Sequence, residues 1–194
     1  MRRPEVGTHP SDRSPVAAGM MWQTGGRADT RTGTGPAGYN WCMTQPVLHW
    51  KLVVDAADPH AQAGFWAAAL GYAVEDNSAL VERLLAANAV PRAITVEVGG
   101  RAAWRDLAAV RHPDDPYDEQ SGTGLGRRIL FQRVPEPKTT KNRLHIDVHS
   151  AAGRRVDEVA RLGALGAFVL RHAREPGGEW TVMTDPEGNE FCVH

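Results

Sequence analysis

The sequence predicts an α+β fold in which two βαβββ modules form an open, mixed, β-barrel-like cleft, with an inserted helix and a long loop expanding the first module. Three observations predict it. The order strand, helix, strands occurs twice along the chain, and each helix exit carries a Leu-Gly pair, Leu70-Gly71 and Leu165-Gly166. Each copy has a single helix for several strands, so its sheet is covered on one face only. Two such sheets side by side curl around their uncovered faces and enclose a cleft.

The elements follow in order. Residues 1–42 are rich in Gly, Thr, Pro, Ser and Arg and show neither a 2.0 nor a 3.6 period. Such a segment buries too little apolar surface to offset its ordering entropy, so a disordered tail is expected, with Met43 a candidate for the true start. The domain is expected over 43–194, its modules at about 43–136 and 142–194. VLHWKLVVDA (47–56) reads as a strand. Asp58-Pro59 supplies an N-cap and a first-turn proline, opening a helix that buries Phe65, Trp66 and Leu70 and stops at Gly71. A strand over 72–76, an amphipathic helix over 78–89 and a strand over 93–100 come next; 104–110 fits helix or strand. Residues 112–126 form a polar loop, solvated or able to act as a lid, before a strand over 127–134. After the linker PEPKTTKN come a strand (144–149), a helix (153–166) with Val156, Val159 and Leu162 on one face, and a strand (168–171). A hairpin closes the chain: 179–184, the turn DPEGN and 190–194.

Composition bounds the function. A net charge of −1 argues against nucleic acid or an anionic membrane as the main partner. No window approaches the roughly 18 apolar residues of a membrane span. Two cysteines, Cys42 and Cys192, imply no disulfide framework and fit a reducing cytoplasm. GTGLG (122–126) lacks the spacing of a dinucleotide fingerprint.

The informative stretch is RLHIDVHS (143–150). In a strand, His145, Asp147 and His149 share one face and Leu144, Ile146 and Val148 the other. Positions four apart on a strand lie roughly 13 Å from each other, so one ion cannot take both histidines. The row is either a polar wall of the cleft or, for an adjacent pair, part of a metal site that His194 could complete. Cys192 reads as a small buried hydrophobe or as a zinc-suited thiolate, with Glu190 and His194 on its face. Lys51, in an apolar strand, needs a partner if buried: an anionic ligand, or Asp147 or Glu190 across the cleft. Trp50, Phe65 and Trp66 are expected in the core, and Trp104 and Trp180 in packing or as cleft walls.

KLVVDAADPHAQAGFWAAALGYAVE (51–75) and LHIDVH…VARLGALGAFV…WTVMTDPEGNEFCV resemble the vicinal oxygen chelate superfamily, which includes glyoxalases, bleomycin-resistance proteins and extradiol dioxygenases. RILFQRVPEPKTTKNRLH looks like its glyoxalase-like subgroup common in actinobacteria. The resemblance implies a cleft binding a small polar or anionic metabolite and is compatible with a homodimer. In metal-using members, ligands sit on the first and last strand of each module. The matching positions here are Lys51, Gln132, His145 (or Asp147, by helix length) and Cys192, so one of four, His145, keeps a ligand type and a divalent metal is not the expected state. Two activities remain open. One is a lyase or isomerase with His145 as base or ligand, assisted by Glu190, and with Lys51, Gln132, Asp147, His149, Trp180 and Cys192 around the substrate. The other is a metal-free sequestering protein; an iron or zinc dioxygenase or lyase is a further alternative.

Overall fold

The structure, a computed structural model, describes residues 50–194. The expected tail 1–42, the Met43 start, Cys42 and the first residues of the 47–56 strand lie outside the described residues. Module 1 consists of β1 (Leu52–Ala56), α1 (Pro59–Leu70), β2 (Ala73–Val74), α2 (Ser78–Ala86), a 3-10 turn (Arg92–Ile94), β3 (Thr95–Val98), β4 (Arg101–Trp104), β5 (Leu107–Arg111) and β6 (Arg128–Arg133). Module 2 consists of β7 (Asp147–Val148), α3 (Arg155–Ala164), β8 (Phe168–Glu175), β9 (Gly178–Thr184) and β10 (Glu190–Val193). The sheet orders are β1-β6-β5-β2 and β7-β10-β9-β8, with β3-β4 a separate hairpin. In both sheets the first strand pairs in parallel with the last, and the other pairings are antiparallel. This is the same topology twice, with α2 and the β3-β4 hairpin as the insertion.

Local chemistry sets the elements. Asp58 caps α1 by accepting from the N–H groups of His60 and Ala61, both at 3.1 Å, and Gly71 ends it in the left-handed region (φ 68°) that a side chain disfavours. Phe65 and Trp66 are buried as expected. They meet Phe191 of β10 at ring-centroid distances of 6.4 and 5.3 Å, so one core runs beneath both sheets, through Phe131, Leu162, Met183 and Val193.

Several expectations are corrected. The stretch 104–110 is strand, turn and strand, because alternate residues Ala108 and Val110 enter the core of the first sheet. The 78–89 helix ends at Ala86. β2 and β7, each at a sheet edge, shrink to two residues. Trp50 stands 89% exposed before β1 rather than in the core, and Val156 is 71% exposed in the first turn of α3, where the sheet does not reach it. The 112–126 loop is tied down. Asp115 accepts from the Arg127 guanidinium and N–H, Glu75 accepts from Gly124 N–H (2.8 Å), and Gly122 (φ 73°) passes so close to the Asp76 carbonyl that a Cβ would collide with it.

Candidate functional site

Asp185, which opens the DPEGN turn, latches the modules together. It accepts from the Glu187 and Asn189 backbone N–H groups (3.0 and 2.8 Å) and, across the junction, from Trp66 Nε1 (3.2 Å). With its amide oriented to satisfy both partners, buried Gln62 also donates to Asp185 (3.1 Å) and accepts from Glu187 N–H (3.2 Å). The Glu187 carboxylate in turn accepts from the N–H groups of Ala57 and Asp58 at 2.7 and 2.8 Å. Sequence reasoning read this motif only as a hairpin; the signal for its second role was the pair of polar groups, Gln62 and the Trp66 indole, on the buried face of a largely apolar helix.

Above the latch, a cavity of about 360 Å³ lies between β1 and the segment leading into β7. Leu52, Val54, Trp66 and Phe191 contribute apolar surface, while Asp55, Asn142, Arg143, His145 and Glu190 bring polar groups to it. A second, larger hollow of about 720 Å³ lies under the 136–143 linker.

The open face of the second sheet carries the row seen in the sequence. Ile146 and Val148 pack on the core, and His145, Asp147 and His149 are exposed on the other side. Cys192 is the register partner of Asp147. One step to either side, Glu190 lies opposite His145 and His194 opposite His149, so six ionisable side chains form three rungs. Asp147 is the hub. Its carboxylate lies 3.3 Å from His145 Nε2 and 3.8 Å from His194 Nε2. The donor atoms of His145, Asp147 and Cys192 are all within 4.8 Å of one another. Burial, then the Asp147 charge and its hydrogen bond, push the Cys192 thiol up from its ordinary range. In the third rung His194 stacks on His149 (5.1 Å) and on Trp180 (6.0 Å). Of these residues, only His145 and Glu190 reach the 360 Å³ cavity.

Glu190 is drawn toward the linker. It accepts from Asn142 N–H (3.0 Å) and pairs with Lys138 Nζ (3.1 Å). Burial raises its pKa, but the Asn142 hydrogen bond and the Lys138 charge outweigh that and hold it below the usual carboxylate range.

Lys51 is not paired with Asp147 or Glu190. Partial burial and the neighbouring Arg128 lower its pKa, and Glu75 opposes them. Glu75 is itself buried and engaged by Arg128 through Nε (2.6 Å) and Nη2 (2.8 Å). Neither was anticipated: Glu75 follows a two-residue edge strand that gives no periodic signal, and its pairing with Arg128 of β6 depends on how distant elements meet. Gln132 is exposed on β6, opposite Asp55.

Register refines the four-position comparison. β1 pairs Val53 with Leu130, and β7 pairs Asp147 with Cys192. With Lys51 aligned to His145, the counterpart of Cys192 is Leu130, and Gln132 matches His194. The first module therefore offers an ammonium and an alkyl group where a metal would need donors, and the superfamily's two-module ligand set does not fit this chain. The second module alone offers imidazole, carboxylate and thiol together.

The repeated βαβββ topology is the one expected of the vicinal oxygen chelate superfamily, and the family match assigns the chain to it. Residues 51–194 match the model of the glyoxalase-like domain, and the chain belongs to that family. No curated protein matches the sequence. Similar solved structures include the fosfomycin resistance protein FosX from Mesorhizobium loti (10% identity, 77% of this chain and 92% of that one, TM-score 0.48). Others are a glyoxalase-related enzyme from Fulvimarina pelagi (15% identity, 75% and 87%, TM-score 0.43) and the bleomycin-binding protein of Streptomyces verticillus with copper(II)-bleomycin (16% identity, 77% and 97%, TM-score 0.42). Among the described residues no helix is long and apolar enough to cross a membrane.

Proposed function

We propose that the 43–194 domain acts in the cytoplasm on a small polar molecule with an anionic group, held between β1 and the open face of the second sheet, in a reaction of the lyase or isomerase type. The observation that carries this reading is the His145–Asp147 pair at 3.3 Å on the rim of the cavity. A carboxylate that orients an imidazole prepares it as a general base. Arg143, which has no ion-pair partner among the described residues, supplies charge for the anionic end. Asp55 on the facing wall accepts from a donor on the same molecule. Lys138 and Asn142 hold Glu190, so its role in this reading is to fix the linker over the cleft. Asp147 backs His145; Cys192, His149, Trp180 and His194 continue the open face beyond the cavity lining; and Lys51 and Gln132 stand outside that lining in the first module.

A second reading, a metal-free sequestering protein, is favoured by Lys51 and Leu130 at positions where metal-using relatives place ligands. A panel of small α-hydroxy and α-keto carboxylates and phosphate esters, followed by thermal shift and by NMR of the recovered compound, separates the two. The enzyme reading expects a stabilising compound that is converted, with conversion lost in His145→Ala and binding weakened in Arg143→Ala. A compound bound tightly and recovered unchanged establishes sequestration, and stabilisation indifferent to both substitutions would sink the site.

A further inference from the structure

We propose that the covered side of the second sheet holds a separate binding site for a small monocarboxylate with a short apolar chain. The site is a cavity of about 340 Å³ between α3 and the β8–β9 hairpin, close in size to the cleft beside β1 but on the other face of the sheet. The two cavities share no lining residue.

Register places the polar groups. His172 and Arg174 of β8 stand opposite Thr181 and Glu179 of β9. Alternation turns Thr181 and Glu179 away from Trp180, which stacks with His194 on the open face. Arg155 reaches the same place from the first turn of α3. It donates to the Thr181 hydroxyl through Nη1 and to Glu179 Oε2 through Nη2, both at 2.9 Å. Arg174 Nε lies 2.6 Å from the other Glu179 oxygen. One carboxylate therefore spaces two guanidinium groups without saturating them. Each guanidinium carries five N–H donors, and these contacts engage two on Arg155 and one on Arg174. His172 Nδ1 meets the Thr181 hydroxyl at 3.0 Å. With that hydroxyl donating, the ring proton stands on Nε2 as a further donor.

Charge and shape set the class of ligand. Arg155 and Arg174 against Glu179 leave one surplus positive charge, which a monocarboxylate neutralises and a phosphate dianion overshoots. A carboxylate also matches the fork of N–H groups that a guanidinium presents. Thr181 is fully buried, so its bond to Arg155 holds that side chain in place before any ligand arrives. The apolar wall comes from Val156 and Val159, three residues apart on one face of α3. Val156 is 71% exposed, an alkyl surface that neither the sheet nor another helix covers. A hydrocarbon body of about four carbons covers both valines while its carboxylate reaches the arginines.

The test is titration of the full chain with sodium isovalerate, followed by NMR of the valine methyl groups. The expected result is a saturable shift of the Val156 and Val159 methyl resonances, with intermolecular NOEs to the isovalerate methyls and no shift at His145. Arg174→Gln, at a side chain 84% exposed, should weaken binding about tenfold with circular dichroism unchanged. Arg155→Gln should weaken it at least as much. Uncharged isovaleramide and the shorter acetate should each bind about tenfold more weakly than isovalerate. No saturable shift of these methyls, shifts gathered around His145 instead, equal affinity for isovaleramide or inorganic phosphate, or undiminished affinity in Arg174→Gln would each overturn the proposal. The readout sits on α3, so either outcome leaves the reading of the open cleft to its own test.

Discussion

The two modules share strand order and register but divide the work differently. In the first, α1 buries Pro59, Gln62, Ala63, Phe65, Trp66 and Ala69. Its open face carries Lys51 and Arg128, then Val53 and Leu130, then Asp55 and Gln132. In the second, α3 buries only Leu162, Phe168 of β8 is 65% exposed, and the matching rungs carry His145 and Glu190, Asp147 and Cys192, His149 and His194. One backbone plan therefore gives a well-covered module with an apolar middle rung and a thinly covered module whose middle rung is a thiol and a carboxylate. Packing concentrates in the first module and at the junction; chemistry concentrates in the second.

The sharpest way to break this division is to cut the junction. Phe191 is 1% exposed and lies against Phe65 and Trp66, so Phe191→Ala is expected to cost about 3–5 kcal/mol in urea unfolding. Val156→Ala on α3 should stay within about 0.5 kcal/mol. Comparable losses from the two would mean that α3 contributes as much as α1. Next in size is the buried pair within the first module. Glu75→Ala leaves Arg128 without its carboxylate and is expected to cost about 3 kcal/mol, measured by the same unfolding curves. A change near zero would show the pair to be dispensable. Asp185→Ala, which strands the Trp66 indole and two backbone N–H groups, should cost about 2 kcal/mol. If the latch acts on the junction, its effect should be non-additive with Phe191→Ala.

The sequence revealed the paired topology, the caps of α1 and the alternation of RLHIDVHS, because each is written in local periodicity or in a residue type with a fixed conformational use. It did not reveal which residues stand opposite one another. Cys192 beside Asp147, and Leu130 rather than Gln132 at the equivalent place in the first module, follow from inter-strand register, which single-strand alternation leaves undetermined by any even number of residues. Lys51 was matched with the wrong charges for a related reason. Its neighbours Arg128 and Glu75 lie more than twenty residues away in the chain, Glu75 just after an edge strand of two residues.

The smallest expected effect lies on the acid side. In the first module's loop, the Arg127 guanidinium and backbone N–H groups hold the Asp115 carboxyl at about 2, against an ordinary value of 3.8. A carboxyl whose folded pKa is depressed favours the native state above its unfolded pKa, and that contribution fades as pH falls from about 4 toward 2. Asp115→Asn should therefore lower stability slightly at neutral pH and flatten the fall in thermal midpoint across that window. The pair is solvent-accessible, so added salt should shrink the difference between the two proteins.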